Sequence, residues 1–414
     1  MEGAPFRFGQ VILTSVVADL AAPVVEGISD MERFRVDILQ EDVDDLRRRL
    51  RETRWPVLFD AGWDRGVPAD YLRELVDYWC DEFDWRAMER RINEVPQFVT
   101  TINGAPVHFL HVRSPEPDAT PMIITHGWPG SVTEFLDVIG PLTDPVAHGG
   151  DAADAFHLVI PSMPGFGFSG PMPAPGWNNL TVAKAWAELM SRLGYDRYIA
   201  QGGDFGAGIS YALAQIDAEH VVGLHLNTLV TTPAADGSDV LDDEDRRRLA
   251  RSQRFLDVLA GSMKLQATRP HTIAYALSDS PVGQLAWIVE KFKDWADSGK
   301  VPEDAVERDR ILAIVSIFWF TGTAGSSAQF YYETVDYLPI SNPTVRYAPI
   351  RQPLGVAVFP QGVFLPIRRF VERDFPTLSH WSEFDRGGHF AALEEPDLFV
   401  GDVRKFARVV RAGS

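Results

Sequence analysis

The chain has 414 residues, 45% hydrophobic and 23% charged, which suits two or three structural units or one large domain with insertions and excludes a disordered chain. Its 39 basic and 58 acidic side chains give a net charge of −19, which argues against a protein that holds nucleic acid and otherwise speaks to solubility. Cys80 is the single cysteine, so an intrachain disulfide and a cysteine-based metal cluster are excluded, and a reducing, cytoplasmic setting is expected.

Residues 1–32 read as a loosely attached leader or an upstream start. The apolar run Val11 to Val25 is broken by Asp19 and preceded by one basic residue, Arg7, where a secretory signal would carry a cluster. From Glu41 the pattern is helical, with Val43, Leu46 and Leu50 on one face, until Trp55-Pro56. A second amphipathic stretch follows from Ala69 to Asn93, so residues 33–97 are expected to form a mainly helical N-terminal domain. Phe98 to Ile102 and Val107 to Val112, joined by Asn103-Gly104, predict a hairpin.

After the hairpin, short apolar runs alternate with helical patterns: Met122 to Thr125, Phe156 to Ile160, Tyr198 to Ala200 and Val221 to Leu226. Buried parallel strands joined by helices are the expected result. The alternation pauses between residues 233 and 348, where the chain reads as helices such as Asp245 to Leu259 and Gly283 to Trp295. It resumes with strands at Gly355 to Phe359 and Leu378 to Phe384 and a last helix from Asp397 to Val410. The fold class predicted is α/β, an α/β-hydrolase fold with a mostly parallel sheet. Its core spans 98–232 and 349–414, divided by a helical lid at 233–348. No stretch reaches the ~20 apolar residues that span a bilayer. The nearest, Ile311 to Phe320, suits a buried helix segment.

Chemistry concentrates in four loops. Gly202-Gly203-Asp204-Phe205-Gly206, between a strand and a helix, has the pattern of a nucleophile elbow, with aspartate where serine is commoner. Such a turn lifts one side chain to the sheet edge beside a helix N-terminus; the plainer alternative is an aspartate capping that helix. His126-Gly127-Trp128-Pro129-Gly130-Ser131 stands where this fold draws one oxyanion-hole amide, so Trp128 and Phe205 are the expected donors. Ser131 and Glu134 also have the spacing of a capping box. Pro164 to Ser169 reads as a structural loop. Gly387-Gly388-His389-Phe390 follows the last strand, and a late histidine after an earlier nucleophile is the hydrolase order.

An aspartate at 204 selects the reaction. A carboxylate attacking an sp³ carbon gives an alkyl ester, which opens an epoxide or displaces a halide. Water deprotonated by His389 would then attack the ester carbonyl, stabilised by the oxyanion donors.

These motifs together resemble an epoxide hydrolase of the microsomal type, a bacterial member without the membrane anchor. The likeness runs from about Phe34 to the C-terminus. It rests on Arg54-Trp55-Pro56, HGWPGS at 126–131, GGDFG at 202–206, DSPVGQLAWIVEKF at 279–292, WFTGTAGSS at 319–327 and RGGHFAALEEP at 386–396. The resemblance implies Asp204 as nucleophile, His389 as base and Tyr331 as a lid phenol facing the epoxide oxygen, with Tyr332 the fallback one residue on. It implies no cofactor and no metal. The partner expected is a small epoxide, apolar or aromatic, with a homodimer as one open assembly state and neither nucleic acid nor a membrane span.

Two positions depart from the family pattern. A second lid tyrosine is replaced by Ser262, and the carboxylate that orients the histidine is replaced by Gly362, while the alternative acid position holds Asn227. Glu383 and Asp385 lie near His389 in sequence. The leading expectation is hydrolysis of an epoxide to a vicinal diol with the ester-hydrolysis step impaired. The alternatives are an epoxide-opening cyclase or isomerase of a biosynthetic pathway, and a catalytically impaired homologue acting as a binding protein. The lid aromatics Trp287, Trp295, Phe318, Trp319, Phe320 and Phe330 fit a bulky apolar ligand and equally a helical core.

Overall fold

The structure is a computed structural model that describes residues 31–234, 237–337 and 347–413, so almost all of the predicted leader lies outside the described residues. The N-terminal part holds a two-residue strand, β1 (Glu32–Arg33), and helices α1 (Gln40–Arg51), α2 (Ala69–Asp81) and α3 (Trp85–Asn93). Helix α1 buries Val43, Leu46 and Leu50, with Glu41 and Asp42 in its first turn and Arg48, Arg49 and Arg51 in its last, a charge order that suits the helix dipole. The amphipathic stretch over 69–93 forms two helices. Asp84 accepts the Ala87 amide at 3.0 Å and starts a new helix, because a short acidic side chain offers the backbone a cap in place of continuation.

Strands β2 (Gln97–Ile102) and β3 (Ala105–Val112) form the predicted hairpin. Asn103 and Gly104 turn at φ values of 51° and 77°, the positive pair that a tight two-residue turn requires. Then come β4 (Thr120–Thr125), α4 (Leu136–Thr143), β5 (Phe156–Pro161), α5 (Asn179–Arg192), β6 (Tyr198–Gly202), α6 (Phe205–Ile216) and β7 (Val221–Leu226). The insertion carries α7 (Asp243–Arg254), α8 (Gly261–Thr268), α9 (Pro270–Asp279), α10 (Pro281–Trp295), α11 (Arg308–Thr321) and α12 (Ala324–Thr334). The helix expected over 245–259 ends at Arg254 and runs into a single π turn, Phe255–Leu259. Strand β8 (Leu354–Val358), α13 (Arg368–Asp374), β9 (Leu378–Glu383), α14 (Ala391–Glu394) and α15 (Pro396–Ala412) complete the core.

The strands lie in the order β1-β2-β3-β5-β4-β6-β7-β8-β9, antiparallel up to β5 and parallel from β5 to β9. Every residue of β5, β6 and β8 is buried, which is why these strands read as unbroken apolar runs: helices cover both faces. This is the α/β-hydrolase fold with a helical lid and an N-terminal helical part.

The N-terminal helices pack on the lid. Trp79 Nε1 donates to Ser316 Oγ at 3.0 Å, Tyr78 donates to Asp309 at 2.8 Å, and the Trp85 ring lies 4.9 Å from that of Phe320. Among the described residues no single helix is long and apolar enough to cross a membrane. Helices α11 and α12 together have such a composition only as a pair bent by 91°.

Behind the sheet, fully buried Asp402 on α15 accepts hydrogen bonds from His225 at 2.9 Å and His380 at 2.8 Å, and from Ser382. Although burial opposes ionisation, the paired histidines and the hydroxyl hold its carboxyl well below the usual range. A depressed acid stabilises the fold above its unfolded pKa of about 4 and loses that contribution as pH falls toward the folded value. Asp402→Asn is expected to cost roughly 3–5 kcal/mol at neutral pH. Thermal melts from pH 7 to pH 3 check this, the variant showing a flatter acid limb than the parent.

Candidate active site

Asp204 joins β6 to α6 at φ 51° and ψ −126°, a conformation that a non-glycine residue adopts only where its surroundings enforce it. Enforcement comes from closeness. A Cβ on Gly206 would lie 2.0 Å from the Thr125 carbonyl oxygen, and one on Gly202 would lie 2.1 Å from that of Gly206. The Asp204 side chain caps nothing in α6, so the plain capping alternative is set aside and the elbow reading stands.

The second loop meets the first head-on. Trp128 N–H donates to Asp204 Oδ1 at 2.9 Å, and a Cβ on Gly127 would fall 2.5 Å from that oxygen. Phe205, the other expected donor, opens α6 directly after the aspartate. His126 is fully buried: its Nδ1 lies 2.9 Å from the Gly127 carbonyl and its Nε2 accepts the Met163 amide at 3.2 Å. That pairing makes Nδ1 the protonated nitrogen, and burial pushes the pKa down to about 4, so His126 is a neutral framework residue. Ser131 Oγ accepts the Thr133 amide, and the Glu134 carboxyl accepts the Ser131 amide, the return half of the expected capping box. In the third loop Gly167 donates to Thr323 Oγ1 at 3.1 Å and Met172 to Ser326 Oγ at 2.7 Å, so it ties the core to the lid.

His389 Nε2 lies 3.5 Å from Asp204 Oδ2. The imidazole is buried, edge-on to Trp295 and Phe390, and this desolvation lowers its pKa while the Asp204 charge pulls it part of the way back. Its loop is pinned by the lid: His389 N–H donates to the Trp295 carbonyl at 2.9 Å and Gly387 N–H to Asp297 at 2.9 Å. Glu394 accepts the Phe390 amide at 2.8 Å and the Asp297 amide at 2.7 Å. Trp295 stands among the lid aromatics named from the sequence, whereas Asp297 and Glu394 do not stand among the expected site residues; Glu394 lies within the 386–396 motif and Asp297 just beyond the 279–292 one.

The acid positions considered from the sequence hold no carboxylate paired with His389. Gly362 offers no side chain, and lid residue Arg251 rests on that loop, donating to the Gln361 carbonyl at 2.8 Å and the Gly362 carbonyl at 3.0 Å. Glu383 pairs with Arg248 at 2.7 Å, and Asp385 is largely exposed beside Arg386, so neither is paired with His389. Asn227 does line a cavity with His389, and its Oδ1 is engaged by Gln201 Nε2 at 2.8 Å.

Burial separates the two adjacent lid tyrosines. Tyr331 is buried, edge-on to Trp128 at 5.5 Å and Phe205 at 4.6 Å between ring centres, whereas Tyr332 is 53% exposed. Burial and the nearby Asp204 charge hold the Tyr331 phenol well above its ordinary pKa, hence protonated. Ser262 is buried and its hydroxyl has no hydrogen-bond partner among the described residues, so it leaves no phenol at that position. Tyr331, Asp204, His389, Phe255, Met263 and Trp295 help line a cavity of about 80 Å³. Phe318 and Phe330 pack against Phe166, and Phe320 faces Trp85, so of the lid aromatics singled out only Trp295 reaches this cavity. Among the described residues no group of three His, Cys, Asp or Glu side chains is placed to hold a metal ion.

A strained elbow at the carboxyl edge of the sheet, with backbone donors before it and a late histidine beside it, is the arrangement of α/β-hydrolases. Residues 31–135 match the family described as epoxide hydrolase N terminus, and residues 120–272 match the alpha/beta hydrolase fold. The chain is 46% identical to a Stigmatella aurantiaca protein named "Putative epoxide hydrolase", over 92% of this chain and 85% of the relative. It is 36% identical to epoxide hydrolase 1 of Sus scrofa, over 90% and 87%. The structure of Aspergillus niger epoxide hydrolase superposes with a TM-score of 0.81 at 30% identity, covering 93% of this chain and 97% of that one. The chain belongs to the epoxide hydrolase family.

The burial contrast between adjacent tyrosines gives a direct check. Tyr331→Phe removes a hydrogen bond to developing negative charge and is expected to slow epoxide opening about 10- to 100-fold. Tyr332→Phe leaves it unchanged, as single-turnover rates on an aryl epoxide will show.

Proposed function

We propose that the chain opens an apolar or aromatic epoxide through an ester on Asp204 and hydrolyses that ester to a vicinal diol, with Tyr331 and His389 as proton donor and base. The observation that carries this reading is the meeting of Asp204, His389 and Tyr331 at one small apolar-walled cavity. An Asp204 oxygen attacks an epoxide carbon, the C–O bond breaks, and the departing oxygen takes the Tyr331 proton. Trp128, already bonded to Asp204 Oδ1, is placed to hold the oxygen that becomes the ester carbonyl. Water then adds to that carbonyl carbon, giving its proton to His389. Collapse breaks the ester bond, the diol leaves with the imidazolium proton, and the proton released as the Asp204 carboxylate re-forms restores the phenol.

The lone phenol and the empty acid position set the relative rates. Attack by Asp204 needs neither, but His389 lacks a paired carboxylate to stabilise its charged form, and loss of the corresponding acid in serine proteases costs about 10⁴ in rate. Ester hydrolysis is therefore the slow step, and the alkyl-enzyme accumulates.

A single turnover of an aryl epoxide in ¹⁸O-water is expected to place label in the Asp204 carboxylate, and His389→Gln to trap the ester as seen by intact mass. Label only in the diol would sink the two-step route. Burial lowers the His389 pKa, and esterification removes the Asp204 charge that raised it, so the base stays neutral into acid. The acid limb of ester hydrolysis is expected below the unperturbed histidine value of about 6.5, measured by stopped flow across pH.

A further inference from the structure

A second cavity of about 20 Å³ shares Asp204 and His389 with the first and is lined by Glu134, Asn227, Gly203 and Trp128 and by no lid residue among those described. A water needs roughly 10–15 Å³ and two to four polar partners, so this space holds about one. Glu134 is buried, its carboxyl bonded to the Ser131 amide, and the backbone makes room for it: a Cβ on Gly130 would fall 1.3 Å from Glu134 Oε1. Apart from Glu134, the titratable side chains facing this cavity are Asp204, His389 and His126, and no cation lines it among the described residues.

We infer that Glu134 is a positioning residue for ester hydrolysis: its carboxyl holds the attacking water in this cavity and faces the imidazolium that forms on His389, the place the family gives to the acid missing at Gly362. This rests on the ester route proposed above. The chemistry is timed by charge. Desolvation first, and the Asp204 anion second, raise the Glu134 pKa to about 8, so the free enzyme keeps it protonated. Once Asp204 is an ester the negative charge has moved from its carboxylate to the Tyr331 oxygen on the lid side, the second cause weakens, and Glu134 releases its proton to solvent at the stage when a positive charge on His389 needs a partner, taking one back as the Asp204 carboxylate re-forms. His126 stays neutral throughout, held by its two backbone bonds. The balance of the step is unchanged: water oxygen bonds to the ester carbon, its proton passes to His389, and Glu134 supplies position and field.

The test is a single turnover of styrene oxide by the full chain, with the adduct followed by intact mass and the diol by chromatography, for the parent and for Glu134→Gln, which keeps an acceptor for the Ser131 amide. Expected is alkylation at the parent rate, ester hydrolysis slowed by about 100-fold, and an acid limb moved about one pH unit lower because His389 has lost an anion that raised its pKa. Glu134→Asp should recover part of the rate. Hydrolysis at the parent rate, or equal slowing of both steps with no change in the pH profile, would overturn the inference and leave the ester route standing. A parent chain that forms no adduct would overturn both. Should Glu134→Gln not fold, infrared difference spectra of the ester that accumulates on the parent chain give the same answer: a protonated-carboxyl band must fall while that ester is being hydrolysed, and a constant band overturns it.

Discussion

A carboxylate held at positive φ on the rim of a fully buried parallel strand is the constraint around which the rest is arranged. Helix α6 passes β4 at a distance that only a glycine at 206 permits, since a Cβ there would lie 2.0 Å from the Thr125 carbonyl oxygen. The same closeness brings the Trp128 amide against Asp204 Oδ1. In the reaction proposed above, the donor assigned to the tetrahedral centre is thus already in place in the resting protein, and little reorganisation accompanies the chemistry. The cost of a strained turn, of order 1–3 kcal/mol, is small against the burial of the surrounding strands.

The surrounding helices serve that rim. The α2 and α3 helices do not touch the reacting groups; they brace α11 through Trp79 and Trp85, and α11 leads into α12, which carries Tyr331. The N-terminal helices thus meet the lid at α11, one helix behind the one that carries Tyr331. Aromatic residues in the lid divide along the same line, Phe320 turned toward the brace and Trp295 toward the cavity.

What could be read from sequence follows from how local each feature is. The elbow, the hairpin turn and the His389 loop are short-range patterns in which a few residues must satisfy one backbone geometry, and all three stand where they were expected. The split of the 69–93 helix at Asp84 was also local, but an amphipathic pattern that continues through a cap conceals it. The contacts of Glu134, Asp297 and Arg251 were not legible for a different reason. Asp297 and Arg251 act on loops about 90 to 110 residues distant, where no periodicity connects them. Glu134 was visible only as a capping residue, a role it does fulfil in part, and that concealed the second direction its carboxyl faces.

The histidine loop carries a consequence of its own. Main-chain bonds to Trp295 and Asp297, and the Glu394 clasp, fix the loop, while Trp295 and Phe390 flank the ring. In many hydrolases one acid both anchors the imidazole and neutralises its charge. Here those duties are separated, since anchoring falls to a hydrophobic slot and a peptide scaffold. Gly362 therefore leaves the aim of the His389 ring untouched, and of the two duties only the counter-charge has to come from elsewhere, the part inferred above for Glu134.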